Sequence, residues 1–155
     1  MFELYLGIGI LLIIVVVIIV IIEHNKQKFV HAIESKLNQY GTLTKVKKEG
    51  YQYELQTQNE QISIRLIYAP SVNEVSFNSK RHWQLFASSG KKMIETHGFQ
   101  DVQGTKLIII FPQPGKIVKY INENEVVFVK PKMDVFGMHV IHIHQIETYF
   151  NPEAK

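Results

Sequence analysis

Hydrophobic and polar positions divide the chain into one long unbroken apolar stretch and a series of short alternating ones. From Leu4 to Ile22, 19 consecutive residues carry no charge and no strongly polar group. At 1.5 Å per residue a helix of that length reaches about 28 Å, the hydrocarbon thickness of a bilayer. A helix in a soluble core keeps a polar stripe, and this run has none around its circumference. Its isoleucines and valines favour strand in water, yet an open strand in lipid leaves its backbone N–H and C=O groups unpaired, so helix wins. The predicted span takes in Leu4, Gly7, Gly9, Val15, Val20 and Ile22.

Beyond Ile22 the period changes. "KQKFVHAIESKLNQYG" places Phe29, Ile33, Leu37 and Tyr40 at helical spacing with Val30 beside them, and Gly41 supplies a stop. "YQYELQT" alternates Tyr51, Tyr53 and Leu55 with Gln52, Glu54 and Gln56, while "ISIRLIY" sets Ile62, Ile64, Leu66 and Tyr68 against Ser63 and Arg65. These predict two strands of a hairpin, with a further strand at "TLTKVKK" and an extended piece at "EVSFN". "SKRHWQLFASSGKKMIETHG" puts Trp83, Phe86, Ala87, Gly90, Ile94 and His97 on one helical face and predicts a helix that starts after Asn78 or Ser79 and ends at Gly98. "KLIIIF" reads as a strand buried on both faces. "KIVKYI" reads as a short helix or an extended piece, "EVVFV" as a strand, and "HVIHIHQIETYF" as a strand running into a short helix. The expected architecture is an N-terminal transmembrane anchor, residues 1–22, followed by one α/β (α+β) domain with a mixed sheet, residues 23–155.

Charge gives the anchor a direction. No lysine or arginine precedes the run, whereas Lys26, Lys28 and Lys36 follow it, so the C-terminal domain is expected on the cytoplasmic side of the cell membrane. A cleaved signal has a basic n-region and small residues before its cleavage site. Here the start is "MFELY" and the run ends "IIVIIEHNKQK", which argues for retention. Tyr5 at the outer end suits an interfacial aromatic. Glu3 is the only charge in residues 1–22, so the domain carries 17 basic and 13 acidic side chains, a net of +4. That balance is ordinary beside an anionic leaflet and says little about nucleic acid. The chain has no cysteine, which excludes disulfides, thiolate catalysis and cysteine-based zinc sites.

Few motifs carry chemistry. "SSGKK" departs from the phosphate-loop pattern, because position 85 is leucine and a second lysine follows Lys91. Ser88 and Ser89 lack the surroundings of a nucleophile elbow. In a strand running through "HVIHIH", His142 and His144 share a face and form a candidate metal pair, with His139 on the opposite face. Asp134 or Glu147 would be needed as a third ligand. The alternative is a partly packed edge with Ile141 and Ile143 inward. The basic groups Lys45, Lys47, Lys48 and Lys80, Arg81, Lys91, Lys92 read as solvated faces, and Trp83 as a core residue.

The order of helix, strand hairpin, strand, helix and buried strand resembles the restriction-endonuclease-like fold of the PD-(D/E)-x-K nucleases, over roughly residues 25–150. The chain is most similar to bacterial nuclease-related domains that carry a membrane segment. "FNSKRHWQL" is similar to the lead-in of their second core helix, and "KLIIIF" to the buried strand that follows it. The resemblance implies Mg²⁺ held by acidic residues, with Glu34 and Glu54 at the first two positions. The acid-x-lysine pair falls on "SIR". Ser63 stands in for the acid and Arg65 for the lysine, with Glu74 as an acid that would have to migrate. Serine offers no anionic oxygen and arginine stays protonated, so the implied site is degenerate.

Three functions follow as expectations. The first is a single-pass membrane protein whose cytoplasmic domain binds a protein or nucleic-acid partner without catalysis and without a cofactor. The second is a Mg²⁺-dependent nuclease or phosphodiesterase using Glu34, Glu54, Glu74 and Arg65, or a metal site around His142 and His144. The third is a structural membrane protein that assembles through its span in the lipid bilayer.

Overall fold

The computed structural model of the chain describes residues 2–151. Helix α1 runs from Phe2 to Leu37 without a break, so the apolar run and the amphipathic segment expected after it form one element. Ion and hydrogen-bond pairs at helical spacing carry it through the polar stretch beyond Ile22: Gln27 donates to Glu23 at 2.8 Å and Lys26 lies 3.6 Å from Glu23. Two compact units divide the chain, the first ending at Ile33 and the second beginning at Glu34.

In the first unit α1 is long and apolar enough to cross a membrane. Ile8 and every residue from Ile10 to Ile22 expose 45–64 % of their surface, Val15, Val20 and Ile22 among them, so no protein interior takes up the apolar side chains. A Cβ built on Gly7 or Gly9 would meet nothing within 4 Å. The side chain of Leu4 lies outside the described ones.

The second unit holds a mixed sheet structure, as expected, in the form of two five-stranded sheets. The strands are β1 (Thr42–Lys48), β2 (Tyr51–Gln56), β3 (Gln61–Tyr68), β4 (Val72–Ser79), β5 (His82–Ala87), β6 (Gly90–Ile94), β7 (Thr105–Phe111), β8 (Lys116–Asn122), β9 (Glu125–Phe128) and β10 (His139–His142). A 3-10 turn (Ile143–Gln145) leads into α2 (Ile146–Phe150). One sheet has the order β1-β2-β3-β7-β10 and the other β6-β5-β4-β8-β9.

Parallel strands need a crossover between them, and here the crossover is the other sheet. The chain leaves β3, builds β4 to β6 in the second sheet and returns as β7, parallel to β3. It leaves again for β8, parallel to β4, and comes back as β10, parallel to β7. The two outward passages are bonded to each other, Ala69 N to Phe111 O at 2.7 Å and Gly115 N to Val72 O at 3.1 Å. Ile67, Ile108, Ile110 and Val140 of the first sheet join Val75, Phe77, Trp83 and Ile117 of the second in one buried cluster. At alternate positions Ile62, Ile64, Leu107, Ile109 and Ile141 are buried away from it. All five residues from Leu107 to Phe111 are buried, so "KLIIIF" is the central strand its composition predicts.

The helix expected over residues 79–98 is instead a pair of hairpins. Ser79 ends β4, Lys80 and Arg81 make the turn, and β5 pairs back with Phe77 opposite Trp83 and Val75 opposite Leu85. Ser88 and Ser89 turn the chain into β6, with Gly90 at φ 128°, a value that side chains rarely allow. "FNSKRHWQL" is therefore strand, turn and strand. "KIVKYI" is extended as β8. Two other glycines hold the first sheet's edge: a Cβ on Gly41 would sit 2.2 Å from Gln56 O, and one on Gly50, at φ 90°, 2.4 Å from Phe99 N.

Candidate functional site

The acidic residues singled out in the sequence are not brought together. Glu34, in the last turn of α1, accepts the Tyr53 hydroxyl at 2.6 Å. Burial, and then this carboxylate, push the Tyr53 phenol well above its ordinary value. Glu54 follows Tyr53 in β2 and so projects from the opposite face of the sheet. It is held there by Lys48 at 2.5 Å, Tyr51 at 2.9 Å and Gln61 at 2.9 Å. Lys48 and then Tyr51 keep its carboxyl below the usual range. Glu74 belongs to the second sheet, where its register partner Lys116 pairs with it at 2.7 Å.

Arg65 is a packed cation. Its guanidinium lies 5.5 Å from the Trp83 ring centroid and 5.9 Å from that of Phe99, and it donates to the Glu95 carbonyl. Burial lowers its pKa from the ordinary arginine value. Ser63 is buried in β3 opposite Glu54 on one side and Lys106 on the other. Lys106 is itself buried and donates to Gln100 O at 3.0 Å.

The strand expected to run through His144 stops at His142. His144 lies in the 3-10 turn, its backbone N donating to His142 Nδ1 at 3.3 Å, while His142 N donates to Gln145 Oε1 at 3.1 Å. The His142 ring thus caps the turn, one nitrogen engaged, and the two rings meet edge to face at 6.0 Å. Among the described residues no three His, Cys, Asp or Glu side chains converge as a metal site.

A cleft of about 400 Å³ that the motif reading did not single out lies where β3 and β10 begin. Tyr40, Thr57 to Glu60, Ile62, Lys132, His139, Tyr149 and Phe150 line it. Its floor is the His139–Tyr149 pair, Nδ1 to hydroxyl at 2.6 Å. Its rim is the β2–β3 turn, pinned by Thr57, whose hydroxyl donates to Glu60 O at 2.9 Å and accepts from Glu60 N at 3.1 Å. Thr105, the first residue of β7, donates its hydroxyl to Glu60 Oε2. Tyr40 and Phe150 stack at 4.5 Å and 15°, and Phe150 meets Tyr149 edge-on at 4.9 Å.

Charge in the cleft follows from burial. Burial and then Glu60 push the Tyr149 phenol up to about 12, so it stays protonated at neutral pH. Burial is also the largest influence on His139 and pushes it down, against Asp134 and Glu60, which favour its protonation, and with Lys132, which opposes it. The imidazole is therefore neutral at pH 7, and the formal charges on the lining are Glu60 and Lys132.

This sets a pH dependence. The unfolded chain binds a proton at His139 near the ordinary value of 6.5, and the folded chain does so only at lower pH. His142, depressed by burial and then by His144, behaves alike. Stability is therefore complete above about pH 6.5, falls as pH drops below it, and levels off once the folded imidazoles protonate. Thermal melts at pH 7.5 and 5.5 are expected to show this loss, and His139→Gln to show a smaller one. An equal loss in the variant would remove His139 as a source.

Comparison of the chain with protein-family models, with curated proteins and with solved structures finds no match.

Proposed function

We propose that this is a single-pass membrane protein whose C-terminal domain faces the cytoplasm and acts as a binding module rather than a catalyst. The observation that carries the reading is the α1 surface. From Ile8 to Ile22 its apolar side chains have no protein interior to enter, and lipid is the solvent that suits them. Lys26, Lys28 and Lys36 on the C-terminal side, with no basic residue before the run, support the direction.

The non-catalytic part is supported by the separate engagement of Glu34, Glu54 and Glu74 and by the packing of Arg65 on Trp83 and Phe99. A Mg²⁺-dependent nuclease would require those carboxylates to exchange their partners for a shared ion. The His139–Tyr149 cleft offers instead a mixed polar and aromatic lining suited to holding a ligand.

The cysteine-free sequence allows a direct test of direction. A single cysteine introduced as Lys80→Cys is expected to resist a membrane-impermeant maleimide in intact cells and to react once they are permeabilised. Labelling in intact cells would reverse the orientation. A mature chain beginning after the apolar run would overturn the anchor.

A further inference from the structure

We propose that the cleft bounded by Glu60, Lys132 and the Tyr40–Phe150 stack receives a small zwitterion of amino-acid type. Its ammonium pairs with Glu60, its carboxylate with Lys132, and its apolar or aromatic side chain lies against the rings. The proposal deepens the binding-module reading and rests on it.

Charge count selects the class. The lining holds one formal charge of each sign, since His139 and Tyr149 are neutral at pH 7. A lone anion such as phosphate would meet the Glu60 carboxylate, and a lone cation would meet Lys132. A ligand carrying both charges satisfies both, with opposite charges placed in the same cleft. Each group also has spare capacity. The Thr105 hydroxyl steadies Glu60 through Oε2, while Oε1 has no hydrogen-bond partner among the described residues. Among those residues Lys132 Nζ makes neither a hydrogen bond nor an ion pair, in contrast to Lys48, Lys106, Lys116 and Lys119.

Backbone geometry adds a second line. Lys132 sits at φ 63°, a left-handed conformation uncommon for a residue with a side chain. The loop holding it is tied down by Met133 N to Lys130 O at 3.1 Å, Val135 N to Met138 O at 2.8 Å and Gly137 N to Asp134 Oδ1 at 3.0 Å. Backbone held in a sparsely populated region by its surroundings is typical of ligand clamps. The aromatic part is contiguous, Tyr40 on Phe150 and Phe150 against Tyr149, and presents faces that suit both an apolar side chain and a nearby ammonium. About 400 Å³ is within the range of small-ligand sites.

The test uses the full chain in detergent micelles, with melting temperature as readout and L-phenylalanine, L-leucine, phenethylamine and 3-phenylpropanoate as probes. A ligand that binds only the folded state raises the melting temperature with concentration. At least one of the two amino acids is expected to do so at millimolar concentration. For L-phenylalanine, phenethylamine and 3-phenylpropanoate, each lacking one charge, should need about tenfold more for the same shift. Glu60→Gln should abolish the preference for L-phenylalanine over 3-phenylpropanoate, and Lys132→Gln the preference over phenethylamine. Both residues are exposed, so the variants should melt like the parent without ligand. No shift from either amino acid, equal shifts from L-phenylalanine and its singly charged analogues, or an unchanged ranking in both variants would overturn the proposal. Those outcomes leave the anchor untouched, because its own test is the position of the mature N-terminus and the labelling of Lys80→Cys.

Discussion

Replacing Ile10, Ile14 and Ile18 together with aspartate is expected to release the protein from the membrane into an alkaline aqueous extract, whereas Ile14→Asp alone should leave it in the pellet. The difference is one of magnitude. Leu, Ile and Val at a helix centre favour insertion by about 0.3–0.6 kcal/mol each, and aspartate opposes it by about 2.5–3.5 kcal/mol. The run from Leu4 to Ile22 contains 16 such residues, so its insertion is favoured by roughly 5–10 kcal/mol. One isoleucine-to-aspartate change costs about 3–4 kcal/mol and leaves a net preference for lipid, whereas three cost about 8–12 kcal/mol and exceed it. Because the side chains from Ile8 to Ile22 touch no protein interior, the substitutions should leave the β-rich unit folded, with its melt unchanged. Retention of the triple variant in the pellet would mean that something other than the apolar run holds the protein there.

How far the fold was legible depended on whether the deciding contacts were local. The apolar run needed no partner to declare itself, and α1 is where the pattern put it. Alternation in "YQYELQT" and "ISIRLIY" named β2 and β3, because a strand repeats its side-chain direction at every second residue. "KLIIIF" declared burial on both faces through its composition alone. Residues 79–98 misled for the opposite reason. Trp83, Phe86, Ala87, Gly90 and Ile94 satisfy helical spacing, but the partners that settle the matter, Phe77 and Val75, lie across a turn in β4. The stronger local signal was Ser88-Ser89-Gly90, a turn sequence in the middle of the supposed helix.

The site followed the same logic. His142 and His144 drew notice as neighbours, but the strand ends between them and the pair became a cap. His139 was set apart on the opposite face, and its partner Tyr149 comes from α2, ten residues on. Glu60 and Lys132 reach the cleft from two unrelated turns. No spacing rule joins those positions, since only the return of β10 beside β7 assembles them. A histidine opening a buried strand, followed by an aromatic-rich terminal helix, was the available signal.

The hairpin at residues 79–98 also sets the largest expected loss of stability, at Trp83. The side chain is fully buried. It packs against Phe77 at 5.4 Å, against Phe99 at 6.5 Å nearly edge-on, and under the Arg65 guanidinium. Trp83→Ala is expected to cost about 3–5 kcal/mol, the range for emptying a large aromatic site in a core that relaxes only in part. For a domain of this size that corresponds to a fall in melting temperature of roughly 10–20 °C. Arg65 makes the upper end the better expectation, because the substitution strips a partly buried cation of one of its two aromatic faces. Trp83→Phe separates packing from polarity. The indole Nε1 is buried and has no hydrogen-bond partner among the described residues, so phenylalanine removes an unpaid donor while keeping an aromatic face for Arg65. The phenylalanine variant should therefore lose far less than the alanine variant. A loss below about 1 kcal/mol for Trp83→Ala would place the side chain on a surface, against both the hairpin packing and the core position that its spacing first suggested.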